Sequence, residues 1–342
     1  MYFAALSAVG CPQPTEKSHL SAVRCPHLAA ANHMKYLFGP VPSRRLGISL
    51  GVDVLPPKTC TFDCVYCEIG RTTQRTRRRA DYTPKGEILR EIHDYLSSDP
   101  DPQPDVITFS GSGEPTLHTR LGEMISEVKE MTSVPVAVIT NSSLLYLPEV
   151  RDDVMEADII LPSLDAVSEK VFRKLNRPEP SMKVDLIISG LHLLRQEYKG
   201  QIWLEILVVA GINDSKDELE KLAKTACELR PDKVQVHTAS RPSPVNEVEP
   251  ASLETLRSLA RAIGDHAEVM PDIPTPKHRV RIHLDAMTEI YNIISKRPGR
   301  VKDIIAITGM KESEVAARLN EMVESGRVKK HVHEGSEYYI RA

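Results

Sequence analysis

Three of the six cysteines crowd into one segment, Cys60-Thr-Phe-Asp-Cys64-Val-Tyr-Cys67, while Cys11, Cys25 and Cys227 are scattered. Thiolates are the usual protein ligands of iron–sulfur clusters, and one loop can carry three of them around a single cluster. Three ligands leave one iron without a protein thiolate, much as a catalytic zinc site keeps one position open. Such an iron can chelate the amino and carboxylate groups of a methionine moiety. The competing reading is structural zinc, which takes four protein ligands. No fourth Cys or His lies at suitable spacing, so His118 or a distant cysteine would have to supply it. A disulfide framework would instead spread its cysteines through a small secreted chain.

Further polar residues fall at the ends of successive β-type runs: Ser110-Gly111-Ser112-Gly113-Glu114, Thr140-Asn141, Ser163-Leu164-Asp165 and Gly211-Ile212-Asn213-Asp214. Glycine lets a backbone approach a ligand closely, and a carboxylate suits a ribose diol. Each segment also has a plainer reading. The glycines can make an ordinary β-to-α turn, and Asp165, Asn213 or Asp214 can cap a helix. His237 ends the last run and could face the pocket, although a lone histidine there is more often a satisfied structural residue.

The Cys-x3-Cys-x2-Cys spacing after a β-type run resembles the signature of the radical SAM superfamily. The resemblance implies a 4Fe–4S cluster on Cys60, Cys64 and Cys67, with S-adenosylmethionine on the open iron. It places Tyr66 near the adenine and likens Gly111, Gly113 and Glu114 to a Gly-Gly-Glu segment, Ser112 standing for the usual first glycine. Glu114 would then accept from the cosubstrate's ammonium. Thr140 and Asn141 join the cosubstrate pocket, Ser163 and Asp165 fall where the family binds ribose, and Gly211 and Asn213 partly match an adenine-contacting segment. A flavodoxin- or ferredoxin-type reductant would supply the electron, and the resulting 5′-deoxyadenosyl radical would abstract hydrogen from a substrate.

A closer resemblance lies in Gly39-Pro-Val-Pro-Ser-Arg44-Arg45-Leu-Gly47-Ile-Ser-Leu-Gly51-Val-Asp and in Phe172-Arg-Lys-Leu-Asn-Arg177-Pro178. Both look like segments of tRNA wyosine (4-demethylwyosine) synthases and of uncharacterised relatives, over residues 36–240. Those synthases carry a second cluster on three upstream cysteines; here Cys11 and Cys25 stand there.

These residues need elements to hold them. Short Val- and Ile-rich runs at 48–54, 105–110, 134–140, 158–163, 202–209 and 233–237 read as strands. Amphipathic segments at 85–96, 120–130, 184–197, 216–229 and 253–263 read as helices between them. The alternation means parallel strands with right-handed crossovers, hence an α/β fold, a partial (β/α)6 barrel with function at the strand ends. After Pro276 the pattern changes to helices at 284–295, 301–308 and 311–325, then strands at 327–333 and 337–341. That is the outline of a winged helix-turn-helix. The expected domains are a poorly ordered extension over 1–33, a barrel over 34–275, a linker over 276–283 and a winged-helix-like domain over 284–342.

The chain has 342 residues and a formal net charge of −3. That balance argues against non-specific coating of nucleic acid. No apolar run is long enough to span a bilayer, and a cytoplasmic protein is expected. The strip Arg71-Thr-Thr-Gln-Arg75-Thr-Arg77-Arg78-Arg79 could hold phosphates of a nucleic acid or of an anionic small molecule, with Arg44 and Arg45 joining it, or be a solvated loop. The third C-terminal helix, with Glu312, Glu314, Glu321 and Glu324, complements phosphate poorly. Peptide or protein docking, or a dimer contact, is at least as good a reading of that module as nucleic-acid binding. An iron–sulfur redox-sensing winged-helix regulator is the alternative to an enzyme.

Overall fold

The computed structural model describes residues 34–342 except 101–102, 240, 242, 244–247, 271–285, 297 and 334. The 1–33 extension with Cys11 and Cys25, and the linker at 276–283, lie outside the described residues.

The chain opens with strands β1 (Leu37–Ser43) and β2 (Gly47–Val52), then the two-residue strands β3 (Thr59–Cys60) and β4 (Gln74–Arg75). Helix and strand then alternate: α1 (Lys85–Ser97), β5 (Val106–Phe109), α2 (Leu121–Met131), β6 (Val136–Thr140), α3 (Pro148–Val154), β7 (Ile159–Pro162), α4 (Glu169–Leu175), α5 (Val184–Glu197), β8 (Gln201–Val208), α6 (Lys216–Leu229), β9 (Lys233–Thr238), α7 (Leu253–Ile263) and β10 (Ala267–Val269). One eight-stranded sheet runs β1-β2-β5-β6-β7-β8-β9-β10. Only β1–β2 is antiparallel; every other neighbouring pair is parallel. The six strands expected from sequence are all present, joined by β1 and β10 at the two edges.

Parallel strands covered on both faces read as continuous apolar runs. All of Val106-Ile-Thr-Phe109 is buried accordingly. The helices show the complementary 3.6-residue period. α2 buries Leu121, Met124, Ile125 and Val128, which form one stripe. Ser215 and Ser252 cap α6 and α7 by accepting from the N–H groups of Glu218 and Thr255. Parallel strands put all their C-terminal ends on one edge, where the cysteine segment and the polar strand ends therefore gather.

The last elements are α8 (Ala286–Lys296), α9 (Val301–Thr308), α10 (Glu312–Glu324), β11 (Val328–His333) and β12 (Ser336–Arg341). β11 and β12 form an antiparallel hairpin. Ile290, Ile304, Val315, Leu319, Met322 and Tyr339 make an apolar cluster separate from that of the large sheet. α8 and α9 lie against β1.

Candidate active site

The cysteine loop is held at both ends by backbone. Cys60 lies in β3, which pairs with β4, and Thr76 N donates to Cys60 O at 2.9 Å. On the other side Val65 N donates to Leu175 O at 2.9 Å and Asp63 N to Asn176 O at 3.1 Å, so the end of α4 clamps the loop. Phe62 and Phe172 meet edge to face with centroids 5.4 Å apart. Cys60, Cys64 and Cys67 are reduced, and all three line one cavity of about 410 Å³. Burial pushes the Cys60 thiol up to about 12, with the Glu114 charge adding to the effect; burial also raises Cys64 and Cys67. Such thiols ionise when a metal site takes the proton's place.

The same cavity is lined by Tyr66, Gly111, Gly113, Glu114, Thr140, Asn141, Ser163 and Asp165. Glu114 is buried, and its carboxylate accepts from Thr116 Oγ1 and Thr140 Oγ1, each at 2.6 Å, and from Asn141 N at 2.7 Å. Burial raises its pKa against those bonds. One effect of these contacts is to aim Asn141, whose amide donates to Thr61 Oγ1 at 2.8 Å and toward Cys60 Sγ at 3.5 Å. Asp165 is also buried and raised. It accepts from Tyr66 OH, from Asn176 Nδ2 at 3.1 Å and from Leu207 N at 2.9 Å. Thus Tyr66, Asp165 and Asn176 form one polar unit beside Cys64, toward whose sulfur Asn176 donates at 3.6 Å.

Gly211 and Asn213 do not line this cavity. Gly211 sits on an exposed turn with its N–H donating to Asp214 Oδ1, and Asn213 is fully buried. The Asn213 amide donates to Asp165 O and Leu207 O at 2.8 Å each, which makes it a brace behind Asp165. His118, weighed above as a zinc ligand, is likewise absent from the lining; its Nε2 lies 3.0 Å from Thr83 O and its Nδ1 accepts from Arg120 N.

The basic strip does not act as a unit. Arg79 pairs with Asp153, and Arg77 pairs with Glu179 at 3.1 Å. Arg71 and Arg75 face a separate surface groove with Arg173 and Arg177. Arg44 and Arg45 do not join them: the β1–β2 turn sends both into the cysteine-lined cavity. Sequence reasoning missed Asn176 and Lys58. Asn176 lies within the Phe172–Pro178 resemblance, whereas Lys58 carried no signal beyond its nearness to Cys60.

Do these residues fit an iron–sulfur cluster? Lys58 Nζ is buried without a hydrogen-bond partner among the described residues, close enough to Cys67, Asp63 and Cys60 to feel their charge. An anionic cluster on the three thiolates supplies the partner that this cation lacks. Among the described residues no three His, Cys, Asp or Glu side chains converge on a single-ion site. A cluster does not ask for that, since each thiolate binds a different iron. The residues fit.

Comparison with known proteins agrees. The Radical SAM superfamily model matches residues 54–226, half of the chain. A protein of Brachyspira hyodysenteriae named GTPase Obg is 36% identical over 303 residues, covering 88% of this chain, which spans 44% of that protein. A UPF0026 protein of Methanocaldococcus jannaschii is 30% identical over 321 residues, covering 90% of this chain and 96% of its own length. A probable dual-specificity RNA methyltransferase RlmN of Endomicrobium trichonymphae is 28% identical over 201 residues, covering 56% of this chain and 54% of the relative. None of these supports the regulator reading. With three thiols converging on one cavity at the strand ends, and the family model spanning both the thiol loop and the strands that frame it, the chain belongs to the radical SAM superfamily and is an enzyme that uses a 4Fe–4S cluster and S-adenosylmethionine.

Proposed function

We propose that this enzyme reductively cleaves S-adenosylmethionine on the cluster held by Cys60, Cys64 and Cys67 and directs the product radical at a substrate in the same cavity. One observation carries the reading: the thiols share a cavity with a second wall of polar residues contributed by β5, β6 and β7. When bound, the reduced cluster supplies the electron that splits the sulfonium into methionine and a 5′-deoxyadenosyl radical. A flavodoxin- or ferredoxin-type protein would deliver it.

The chain's own residues do three things. Asn141 and Asn176 place amide N–H groups toward Cys60 and Cys64, favouring the more negative sulfur of a reduced cluster. Glu114 and Asp165 accept from protein donors and so hold Asn141, Tyr66 and Asn176 in place, each keeping one oxygen with a single donor for the cosubstrate. Gly111 and Gly113, whose missing side chains would strike Asp53 and Thr59, let the β5 turn pack tightly beside the strand that carries Cys60. Burial of this wall limits water beside a reactive radical.

The finer readings have their own supports. A wyosine synthase-like place rests on the Gly39–Asp53 and Phe172–Pro178 stretches. RNA is favoured over peptide as substrate by the similarity to a probable RNA methyltransferase. A winged-helix domain over 284–342, distinct from a barrel over 34–275, is supported by three helices followed by a hairpin around their own apolar cluster.

The test is anaerobic cluster reconstitution, dithionite reduction and assay for 5′-deoxyadenosine. We expect product from the native chain and none from Cys64→Ala. An intact cluster with no cleavage under any reductant would overturn the reading.

A further inference from the structure

The outer groove of Arg71, Arg75, Arg173 and Arg177 is not part of the thiol-lined cavity: neither these four nor Asp63 beside them lines it. It is nevertheless built on the cysteine loop. Asp63 lies between Cys60 and Cys64 in that loop, and Arg71 follows closely after Cys67. Arg75 is the register partner of Cys60 across β3 and β4. Arg177 O accepts from Asp63 N at 3.2 Å and from Arg75 Nη1 at 3.1 Å, which ties the sides of the groove together. The groove is therefore an outer surface of the loop whose thiols face the cavity.

Ion pairing gives this surface a sign. Arg173 is matched by Glu169 at 2.7 Å. Asp63 Oδ2 lies 3.8 Å from Arg71 and 4.0 Å from Arg177, beyond hydrogen-bond reach of both, while its Oδ1 accepts from Thr72 N. Arg75 makes no ion pair among the described residues; Glu179, which feels its charge, is paired with Arg77 at 3.1 Å. Arg71, Arg75 and Arg177 thus share the one carboxylate of Asp63. The Arg71 side chain is 69% exposed, so water satisfies it and the charge alone demands no ligand.

Position narrows the occupant. A substrate must reach the cavity to meet the radical, and a strand of RNA gains from aromatic faces on which its bases stack. No aromatic side chain lines the groove among the described residues. An electron needs no entry to the cavity. Its transfer falls off steeply with distance, so its carrier has to sit against the protein shell of the cluster. Redox partners meet through small, charge-complementary faces and part quickly.

We propose that Arg71, Arg75 and Arg177 form the docking face for the reductant, a small electron-carrier protein with acidic residues around its cofactor. The face presupposes the function proposed above and adds the point at which the electron enters. One electron leaves the carrier and reduces the cluster, and no bond is made or broken.

The test uses the full chain with its cluster reconstituted and an acidic flavodoxin as probe. Calorimetry at low salt measures flavodoxin binding, and 5′-deoxyadenosine formation is followed with reduced flavodoxin or with dithionite. Arg71→Glu and Arg75→Glu should each weaken flavodoxin binding and raise its KM roughly tenfold, with dithionite-driven product unchanged. Added salt should weaken binding to the native chain in the same way. Lys224→Glu, at a side chain 77% exposed on α6, should leave all of these at native values. The exposure of Arg71 keeps the test valid should Arg75→Glu not fold. Flavodoxin binding that ignores both substitutions, or that falls equally with Lys224→Glu, would overturn the docking face. So would loss of dithionite-driven product in Arg71→Glu, which would make the arginine a support of the loop. A single-stranded RNA probe whose binding is lost in both variants while that of flavodoxin is kept would assign the groove to nucleic acid instead. Flavodoxin bound through the arginines with no cleavage under dithionite would sink only the proposed function, whereas cleavage under dithionite with no flavodoxin bound would sink only the docking face.

Discussion

Lys58 shows how a single residue can set what a cluster does. Its ammonium is buried beside Cys67 and Cys60, and burial lowers its pKa while those neighbours raise it. A fixed cation near a cluster favours the form with more negative charge, which is the reduced one. Lys58→Met should therefore make the cluster harder to reduce, by tens of millivolts, with Lys58→Arg close to native. Potentiometric titration followed by EPR measures this directly, and an unchanged midpoint in Lys58→Met would rule the role out. The cysteines were legible because their spacing is itself the chemistry. Lys58 and Asn176 were not, since a lysine in a turn or an asparagine after a helix looks the same whether it faces solvent or sulfur. Their meaning comes from burial, which strand-end position alone does not reveal. His237 illustrates the same limit: a strand-end histidine reads as pocket-facing or as structural, and it lines the cavity with a buried Nδ1 that meets no hydrogen-bond partner among the described residues.

At the element scale, the six central strands were legible because a parallel strand covered on both faces is an unbroken apolar run. The edges were not. β1 contains Gly39, Pro40 and Pro42, which interrupt a strand pattern, yet an edge strand tolerates proline where no partner needs its N–H. Its pairing with β2 indeed shifts register between Phe38 and Val41. β10 has three residues, and α3 and α4 have seven each, too short for a period to show. Glycine marks another contrast between elements. A Cβ on Gly113 would lie 1.9 Å from Thr59 O, the backbone of the strand that carries Cys60. A Cβ on Gly86 in α1 would meet nothing within 4 Å. The same substitution should thus act with opposite sign. Gly86→Ala should stabilise the fold by about 0.5–1 kcal/mol, while Gly113→Ala should destabilise it by about 1–3 kcal/mol through overpacking and impair cluster loading. Urea denaturation and the iron content after reconstitution test both, and a benign Gly113→Ala would show that the β5 turn is not packed on β3 as described.

On the scale of the whole molecule, the apolar cluster of the C-terminal elements is separate from the largest one, which belongs to the sheet and its helices. They meet where α8 and α9 lie against β1, and Ile293 of α8 reaches the wall of the cavity. Units with separate cores and a limited shared face need not melt together. Asp303 offers a handle on the smaller one. Its carboxylate accepts from Arg300 N at 3.0 Å and from the Arg300 guanidinium at 2.9 and 3.0 Å, fastening the first turn of α9. Burial pushes the Asp303 pKa up, but the Arg300 bonds outweigh it and hold the group below its usual 3.8. A folded pKa below the unfolded one means stability that is present above the unfolded value and lost as pH falls through the folded one. Asp303→Asn should therefore cost on the order of 1 kcal/mol at neutral pH, the size of a helix cap. The difference from native should shrink once the pH drops below 3.8. Calorimetry should show an earlier transition that moves with Asp303→Asn and a later one, from the large sheet, that does not. If both moved together, the α8–α9 face on β1 would be coupling the two cores. The C-terminal helices would then be part of the wall that shapes the cavity rather than a module resting against it.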